Sequence, residues 1–377
     1  MRIGVDARLL SEPVNGIGRY SAELSRELVK LEKEFYFYTP KPPMATVWEG
    51  NQYKLRSSAF HGRIGKILWS QTMLPYWAVL DKIDLFWGTT HRLPRYLPAS
   101  MARVVTIHDL VWKFAGETMR PLSRWMERFL MPEAILAADR IMTDSQSTAD
   151  ALASEFPLSR SKVRVVPLGV TRLASPSNFS FLSTLGINRP YFLFVGTLEP
   201  RKNLRRLLSA FASIRHTLNH NALLVIAGGK GWGAINVQNV VHELNLERNV
   251  VLTGYVTDSQ LSTLYAHARF LAMPSLHEGF GLPLIEAMSY GVPVLTSDLS
   301  SLPEVAGNAG ILINPLDEKA LAAALVVFLN NDKRRDELAA HAAATAAKYT
   351  WEKAALQTME VFSEALTARE EMRRSCT

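Results

Sequence analysis

The sequence predicts an α/β fold built from two Rossmann-like domains that face each other across a cleft. Three observations predict it. Short apolar runs alternate with longer amphipathic stretches along the whole chain, the pattern of parallel βαβ units. The alternation comes in two series, separated by a Ser/Pro-rich stretch from Thr171 to Asn178 that has no periodicity and reads as a linker. The 377 residues also suit two domains at roughly 100–200 residues each. Doubly wound sheets bind ligands at the carboxyl ends of their strands, so two of them facing one another would make a cleft.

The first series opens with Met1 to Asp6 as a strand. Gly18 to Lys33 reads as a helix, with Leu24, Leu28 and Leu31 on one face. Strands follow at Phe35–Tyr38, Asp84–Trp87, Arg103–Ile107, Arg140–Thr143 and Lys162–Val166. The second series has strands at Tyr191–Val195, Ala222–Ile226, Val250–Leu252, Phe270–Met273 and Val292–Leu295. Its helices include Asn203–Ser213 and Asp258–Ala266. The expected domains are residues 1–172 and 179–350, with a last helix over 351–377 that starts at Trp351 and packs back onto the first domain.

Composition narrows the function. Hydrophobic residues make up 48% and charged residues 20%, which excludes wholesale disorder. Mean hydropathy is +0.02 and no long uncharged apolar run occurs, which argues against a spanning helix. The start, Met1-Arg2-Ile3-Gly4-Val5-Asp6, is wrong for a signal peptide. A lone cysteine, Cys376, lies among terminal polar residues and is a poor catalytic candidate, so a reducing, cytoplasmic compartment is expected. Residues 1–173 hold 24 Lys/Arg against 17 Asp/Glu, whereas residues 174–377 hold 18 of each, so the whole net charge of +7 belongs to the first half. That half is expected to meet an anionic partner. Two basic-aromatic stretches stand out there. His61 to Trp77 carries Arg63, Lys66, Trp69, Tyr76 and Trp77; Met119 to Met131 carries Arg120, Arg124, Trp125, Arg128 and Phe129. Such segments either lie in a membrane interface or form core helices with basic solvent positions. Nothing suggests nucleic-acid readout beyond charge.

The strongest chemical signal is Glu278-Gly279-Phe280-Gly281-Leu282-Pro283-Leu284-Ile285-Glu286. Two carboxylates flank a Gly-x-Gly loop that leads into a helix, where backbone amides can approach polar or anionic groups. Glu286 lies among apolar neighbours and needs a partner. Gly16-Ile17-Gly18 is a second glycine loop, between the first strand and first helix, but lacks the full dinucleotide fingerprint because position 21 is Ser. Arg201 and Lys202 follow a strand ending at Gly196 and can neutralise a diphosphate. His108 and Asp109 end an apolar strand. The chain has no Asp-x-Asp, no zinc-type Cys/His cluster, no Gly-x-Ser-x-Gly elbow and no Walker loop, so no metal or organic cofactor is expected.

Together these motifs resemble glycosyltransferase family 4, the retaining, nucleotide-sugar-dependent enzymes of the GT-B fold. The Glu278-to-Glu286 spacing is similar to the family's E-x7-E motif. Asn15 to Tyr20 resembles its first glycine loop, Thr106 to Leu110 its histidine motif, and Gly196 to Asn203 its diphosphate-binding segment. Motifs in this order cover essentially the whole chain. One departure is Thr197, where some relatives place an arginine; Arg201 and Lys202, with Arg205 as a further candidate, must then supply the charge.

The resemblance implies that the second domain binds the donor. Glu286 would hold ribose hydroxyls and Glu278 a hydroxyl of the donor sugar, while Gly279, Phe280, Gly281 and Leu282 line the sugar and Arg201 and Lys202 bind the diphosphate. Gly16 and Gly18 would approach the donor diphosphate or the acceptor. His108 would meet the transferred sugar through its ring or backbone, with Arg19, Tyr20 and Asp109 on the acceptor side. The Gly196–Asn203 string and the opening Gly-Val-Asp-Ala-Arg-Leu look most like bacterial O-antigen or capsule mannosyltransferases, which implies GDP-mannose. Glucose, galactose, N-acetylglucosamine and rhamnose donors stay open, since a few loop residues decide them, as does a binding subunit that has lost catalysis. The implied acceptor is a polyprenyl diphosphate-linked glycan at the cytoplasmic face of the inner membrane, with peripheral attachment and other polysaccharide-assembly proteins as further partners.

Overall fold

A computed structural model describes the chain except residues 13, 14, 32, 45–52, 61, 172, 174–179, 219, 220, 234, 376 and 377, and at 63 and 64 describes the backbone only. Most of the expected linker, Cys376 and His61 therefore lie outside the described residues. The chain divides into two compact units, Met1–Leu110 with Trp125–Gly169 and Thr350–Thr377, and Val111–Arg124 with Val170–Tyr349. The second unit thus takes up Val111–Arg124, which sequence order alone assigns to the first domain. Phe114 of that segment stacks on His277 with centroids 5.6 Å apart.

The first unit holds a seven-stranded parallel sheet. Its strands are β1 (Arg2–Asp6), β2 (Glu34–Thr39), β3 (Tyr53–Ser57), β4 (Leu85–Gly88), β5 (Ala102–Ile107), β6 (Arg140–Thr143) and β7 (Val163–Val165), in the order β3-β2-β1-β4-β5-β6-β7. Central strands covered on both faces read as unbroken apolar runs, and β4 is buried at every position. β3 escapes that reading because it is a mostly exposed edge strand, Tyr-Lys-Leu-Arg-Ser, with charges between its apolar residues. The helix Trp351–Ser375 packs on the helix Gly16–Leu28 and on β4, β5 and β6. Buried Asp139 accepts two bonds from Arg369 of that helix, at 3.0 and 2.8 Å.

The second unit holds a six-stranded parallel sheet. Its strands are β8 (Tyr191–Val195), β9 (Leu223–Ala227), β10 (Val250–Gly254), β11 (Leu271–Met273), β12 (Val294–Ser297) and β13 (Gly310–Ile313), in the order β10-β9-β8-β11-β12-β13. β13 is the one the sequence hides: four residues, glycine first, at the sheet edge. The core of this unit is aromatic-rich, with Phe192, Phe194, Phe211, Phe270 and Phe328 fully buried.

In both sheets the strand order reverses beside the first strand, between β1 and β4 and between β8 and β11. Such switch points open a crevice at the carboxyl ends of the strands. They are where ligand-binding loops are expected to gather.

Candidate active site

In the second unit the loops after β8, β11 and β12 converge. Leaving β8, the chain passes through a turn at Pro200–Lys202 and enters the helix Leu204–Ile214 at Asn203, which adopts the left-handed region with φ 59°. Asparagine tolerates that conformation better than most residues. Its side-chain amide donates to the carbonyls of Pro274 (3.0 Å) and Pro315 (2.7 Å), fastening the turn to the segments after β11 and β13.

This turn aims two cations at one carboxylate. Glu278 Oε2 accepts from Arg201 Nη1 at 2.7 Å, and Glu278 Oε1 accepts from Lys202 Nζ at 2.5 Å. Arg201 also donates to Glu199 (3.1 Å) and to the His277 carbonyl (3.2 Å). Glu278 is buried, as is Lys202. Burial alone would raise the Glu278 carboxyl, but Arg201 and Lys202 outweigh it and hold the group at about 2, so it stays ionised. Burial, with Arg201 adding repulsion, pulls the Lys202 ammonium down, and Glu278 opposes that. Arg205, the third candidate cation, turns away: it is exposed and pairs with Glu243 at 3.2 Å.

The loop carrying Glu278 is held from β12. The Glu278 N–H donates to Ser300 Oγ at 3.0 Å, and Ser301 Oγ donates to the carbonyls of Glu278 and Phe280, both at 3.0 Å. Gly281 has φ +103°, and a Cβ there would meet Leu302 at 2.9 Å, so the fold demands glycine. It caps the helix Leu282–Ser289, which carries Glu286. Glu286 is buried and has its partner: Tyr265, fully buried on the helix Asp258–His267, donates its hydroxyl at 2.9 Å. Phe280 is buried, whereas Gly279 and Leu282 are half-buried.

In the first unit, Gly16 and Gly18 do not form a loop ahead of a helix. They are the first turn of Gly16–Leu28, capped by Asn15, whose Oδ1 accepts the Gly18 N–H at 2.8 Å. The Gly18 amide is thus used by the cap. A Cβ on Gly16 would meet nothing within 4 Å, so packing does not demand glycine there.

His108 ends β5 and is 4% exposed. Its Nδ1 lies 2.7 Å from Asp144 Oδ2, at the end of β6, and its Nε2 lies 3.0 Å from the Thr89 carbonyl, at the end of β4. Its backbone N–H donates to His91 Nε2 at 3.0 Å. Both ring nitrogens and the amide are therefore engaged within the protein. Tyr20 is buried too: its hydroxyl pairs with Thr106 Oγ1 at 2.9 Å, and its ring packs edge-on against His108 at 4.7 Å, so it supports the histidine from the core. Asp109 and Arg19 are half-buried. Sequence reasoning missed Asp144, His91, Tyr265, Ser300 and Ser301, since none stands in a local motif.

The basic-aromatic stretches part ways. Trp69 and Trp77 are core, packed with Tyr36, Tyr38 and Phe86, and Lys66 pairs with Glu12 at 2.6 Å. The helix Pro121–Ala137 instead exposes Leu122, Trp125, Phe129 and Leu136, with exposed Arg124 and Arg128 among them. Among the described residues, no helix is long and apolar enough to cross a membrane.

Two parallel-sheet units, with cations and carboxylates gathered at the switch point of the second, define a glycosyltransferase of the GT-B fold. Comparisons agree. Residues 14–172 match the model for glycosyltransferase family 4, and residues 181–345 that for glycosyl transferases group 1. The O-antigen chain mannosyltransferase B of Escherichia coli is 30% identical over 96% of this chain and 99% of its own length. Sucrose-phosphate synthase of Thermosynechococcus elongatus superposes with a TM-score of 0.78 at 20% identity, covering 98% of this chain and 100% of that one. WaaG, a glycosyltransferase involved in lipopolysaccharide biosynthesis, gives 0.73 at 20%, covering 94% and 98%. The chain belongs to glycosyltransferase family 4.

Proposed function

We propose that the protein transfers mannose from GDP-mannose, with retention and without a metal, onto a polyprenyl diphosphate-linked glycan in O-antigen or related surface-polysaccharide assembly. The observation that carries the chemistry is the cluster of Arg201, Lys202 and Glu278 at the β8/β11 switch point. The sugar and pathway follow the printed name of the Escherichia coli relative.

Arg201 and Lys202 meet the donor diphosphate and offset the charge that grows on it as the glycosidic bond breaks. An ammonium has three donors, of which Glu278 takes one. The Glu278 carboxylate uses one lone-pair site on each oxygen for the cations, leaving others to accept a sugar hydroxyl. Glu286, oriented by Tyr265, holds the ribose hydroxyls, and Phe280, Gly281 and Leu282 present their amides to the sugar. The acceptor oxygen bonds to the anomeric carbon on the face the phosphate leaves, and the departing phosphate oxygen takes the acceptor proton, so no protein nucleophile is needed. Trp125, Phe129, Arg124 and Arg128 seat the protein peripherally on the anionic inner-membrane surface where the lipid-linked acceptor lies.

The test is donor hydrolysis. GDP-mannose, UDP-glucose, UDP-N-acetylglucosamine and dTDP-rhamnose are supplied separately with EDTA, free nucleotide is measured, and Glu286→Ala is the control. Release from GDP-mannose alone, lost in the variant, is expected. Release from another donor alone overturns the sugar assignment, and failure to bind any of these nucleotides by calorimetry overturns the donor assignment altogether.

A further inference from the structure

We infer that His108 is a fixed imidazolium, positioned by Asp144 and His91, and that it does not take a proton during transfer. The geometry of its two ring nitrogens carries the inference. Nε2 faces the Thr89 carbonyl at 3.0 Å, and a carbonyl only accepts. Nδ1 faces a carboxylate oxygen of Asp144 at 2.7 Å, and an ionised carboxylate only accepts. Each nitrogen must therefore carry a hydrogen. The ring is buried, so neither partner is readily exchanged for water.

The surroundings agree on every side. Asp144 faces the ring from the end of β6, and Asp109 follows it on its own strand end. From the helix Gly16–Leu28, Tyr20 presents a ring edge, and burial together with Asp144 raises its phenol well above the ordinary value, keeping it neutral. From the end of β4, the His91 ring lies 5.3 Å away, backed by Glu127 and Arg92. Burial works against the charge on His108, but the Asp144 carboxylate, its hydrogen bond and the Thr89 carbonyl outweigh it, so the ring holds its second proton to a higher pH than usual.

His91 fixes the backbone of the same residue. It accepts the His108 N–H at Nε2, so it must carry its own hydrogen on Nδ1, which faces Glu127 Oε2 at 3.2 Å. Arg92 holds the other Glu127 oxygen at 2.9 Å. Glu127 thus selects the His91 tautomer that can accept. A ring already holding both hydrogens cannot serve as the base for the acceptor hydroxyl. This rests on the transfer reading above, in which the departing phosphate takes that proton.

The experiment reads the ring directly. The full chain is labelled with ring-15N histidine and followed by NMR from pH 5.5 to 9, and His108→Gln identifies the His108 resonances. Both His108 nitrogens are expected to be protonated at pH 7.5, where ordinary histidines, with values near 6.5, are mostly neutral. In Asp144→Asn, the ratio of charged to neutral ring at a fixed alkaline pH is expected to fall about tenfold or more, and the alkaline limb of kcat to move to lower pH. One bare ring nitrogen in the wild type at pH 7.5 overturns the inference, as does an unchanged titration in Asp144→Asn. The wild-type titration decides alone if that variant does not fold. Donor release tests the transfer reading and ring shifts test this one, so the two fail separately.

Discussion

Both sheet edges bury a carboxylate against a cation at the carboxyl ends of neighbouring parallel strands, yet they are built differently. In the second unit two cations converge on one carboxylate, Arg201 and Lys202 on Glu278, and Arg201 also pairs with Glu199. In the first unit one ring pairs with one carboxylate, His108 with Asp144, and its other nitrogen faces the Thr89 carbonyl. Lys202 gives Glu278 one of its three donors, whereas both ring nitrogens of His108 are engaged within the protein. Their supports differ as well. The cations stand side by side in sequence and are placed by one turn, whereas His108, Asp144, Thr89 and His91 come from three strand ends and owe their meeting to the sheet order β4-β5-β6.

The harshest way to break the comparison is to remove the shared carboxylate. Glu278→Ala leaves buried Lys202 without its ion-pair partner, with Glu199 as the remaining carboxylate beside Arg201, and breaking a buried pair costs about 3–5 kcal/mol. Urea unfolding should show that loss, with sugar transfer abolished. Full stability in the variant would mean that the ion cluster contributes little to the fold.

Next comes pH, which should separate the two edges. Glu278 titrates at about 2 in the folded protein against an ordinary 4.5. Its contribution, on the order of 3 kcal/mol, is full above about pH 4.5 and lost as pH falls toward 2. His108 is raised, so its contribution is full below about pH 6.5 and lost as pH rises through its folded value. Hydrogen exchange should therefore show β11 amides loosening first in acid and β5 amides first in alkali. Loosening of both strands together at either extreme would refute the distinction.

Asn203 tests whether one turn places the cations. Asn203→Gly keeps access to φ 59° but deletes the bonds to Pro274 and Pro315, whereas Asn203→Ala loses both the bonds and the easy backbone conformation. The glycine variant should cost about 1–2 kcal/mol and the alanine variant roughly 1 more. In both, the donor KM should rise more than kcat falls, because Arg201 and Lys202 are displaced and not removed. Equal losses in the two variants would show that the bonds, and not the backbone, hold the turn.

This contrast also explains what the sequence makes legible. Glu278, Glu286, Arg201 and Lys202 can be read because their spacing is local: a turn, a loop and one helix place them. Both sheets can be read from their central strands, whose two buried faces force continuous apolar runs. β3 and β13 are missed for local reasons: β3 carries charges between its apolar residues, and β13 is four residues long and opens on glycine. Asp144 and His91 lie 36 and 17 residues from His108, and only folding joins them. Tyr20 shows the reverse: it is next to a glycine motif in sequence, and helix periodicity turns its ring into the core. For Trp69 and Trp77 the sequence leaves the membrane-interface and core-helix readings open, and the fold places both rings in the core.

The gentlest perturbation uses the helix Pro121–Ala137, which presents opposite sides to the two questions. Its inner side carries Glu127, which fixes His91 and through it the His108 amide. Its outer side exposes Trp125 and Phe129, whose rings meet at a tilt with centroids 4.9 Å apart. Replacing both with serine should change stability by no more than about 0.5 kcal/mol and leave donor hydrolysis and the His108 ring shifts as they were. Binding to anionic phospholipid vesicles, measured by sedimentation, should weaken about tenfold or more, because two large apolar side chains no longer enter the interface. Unchanged vesicle binding would rule this helix out as the membrane face. A changed His108 spectrum would show that its outer and inner sides are mechanically linked, and the His108 edge of the first unit would then answer to the surface outside it.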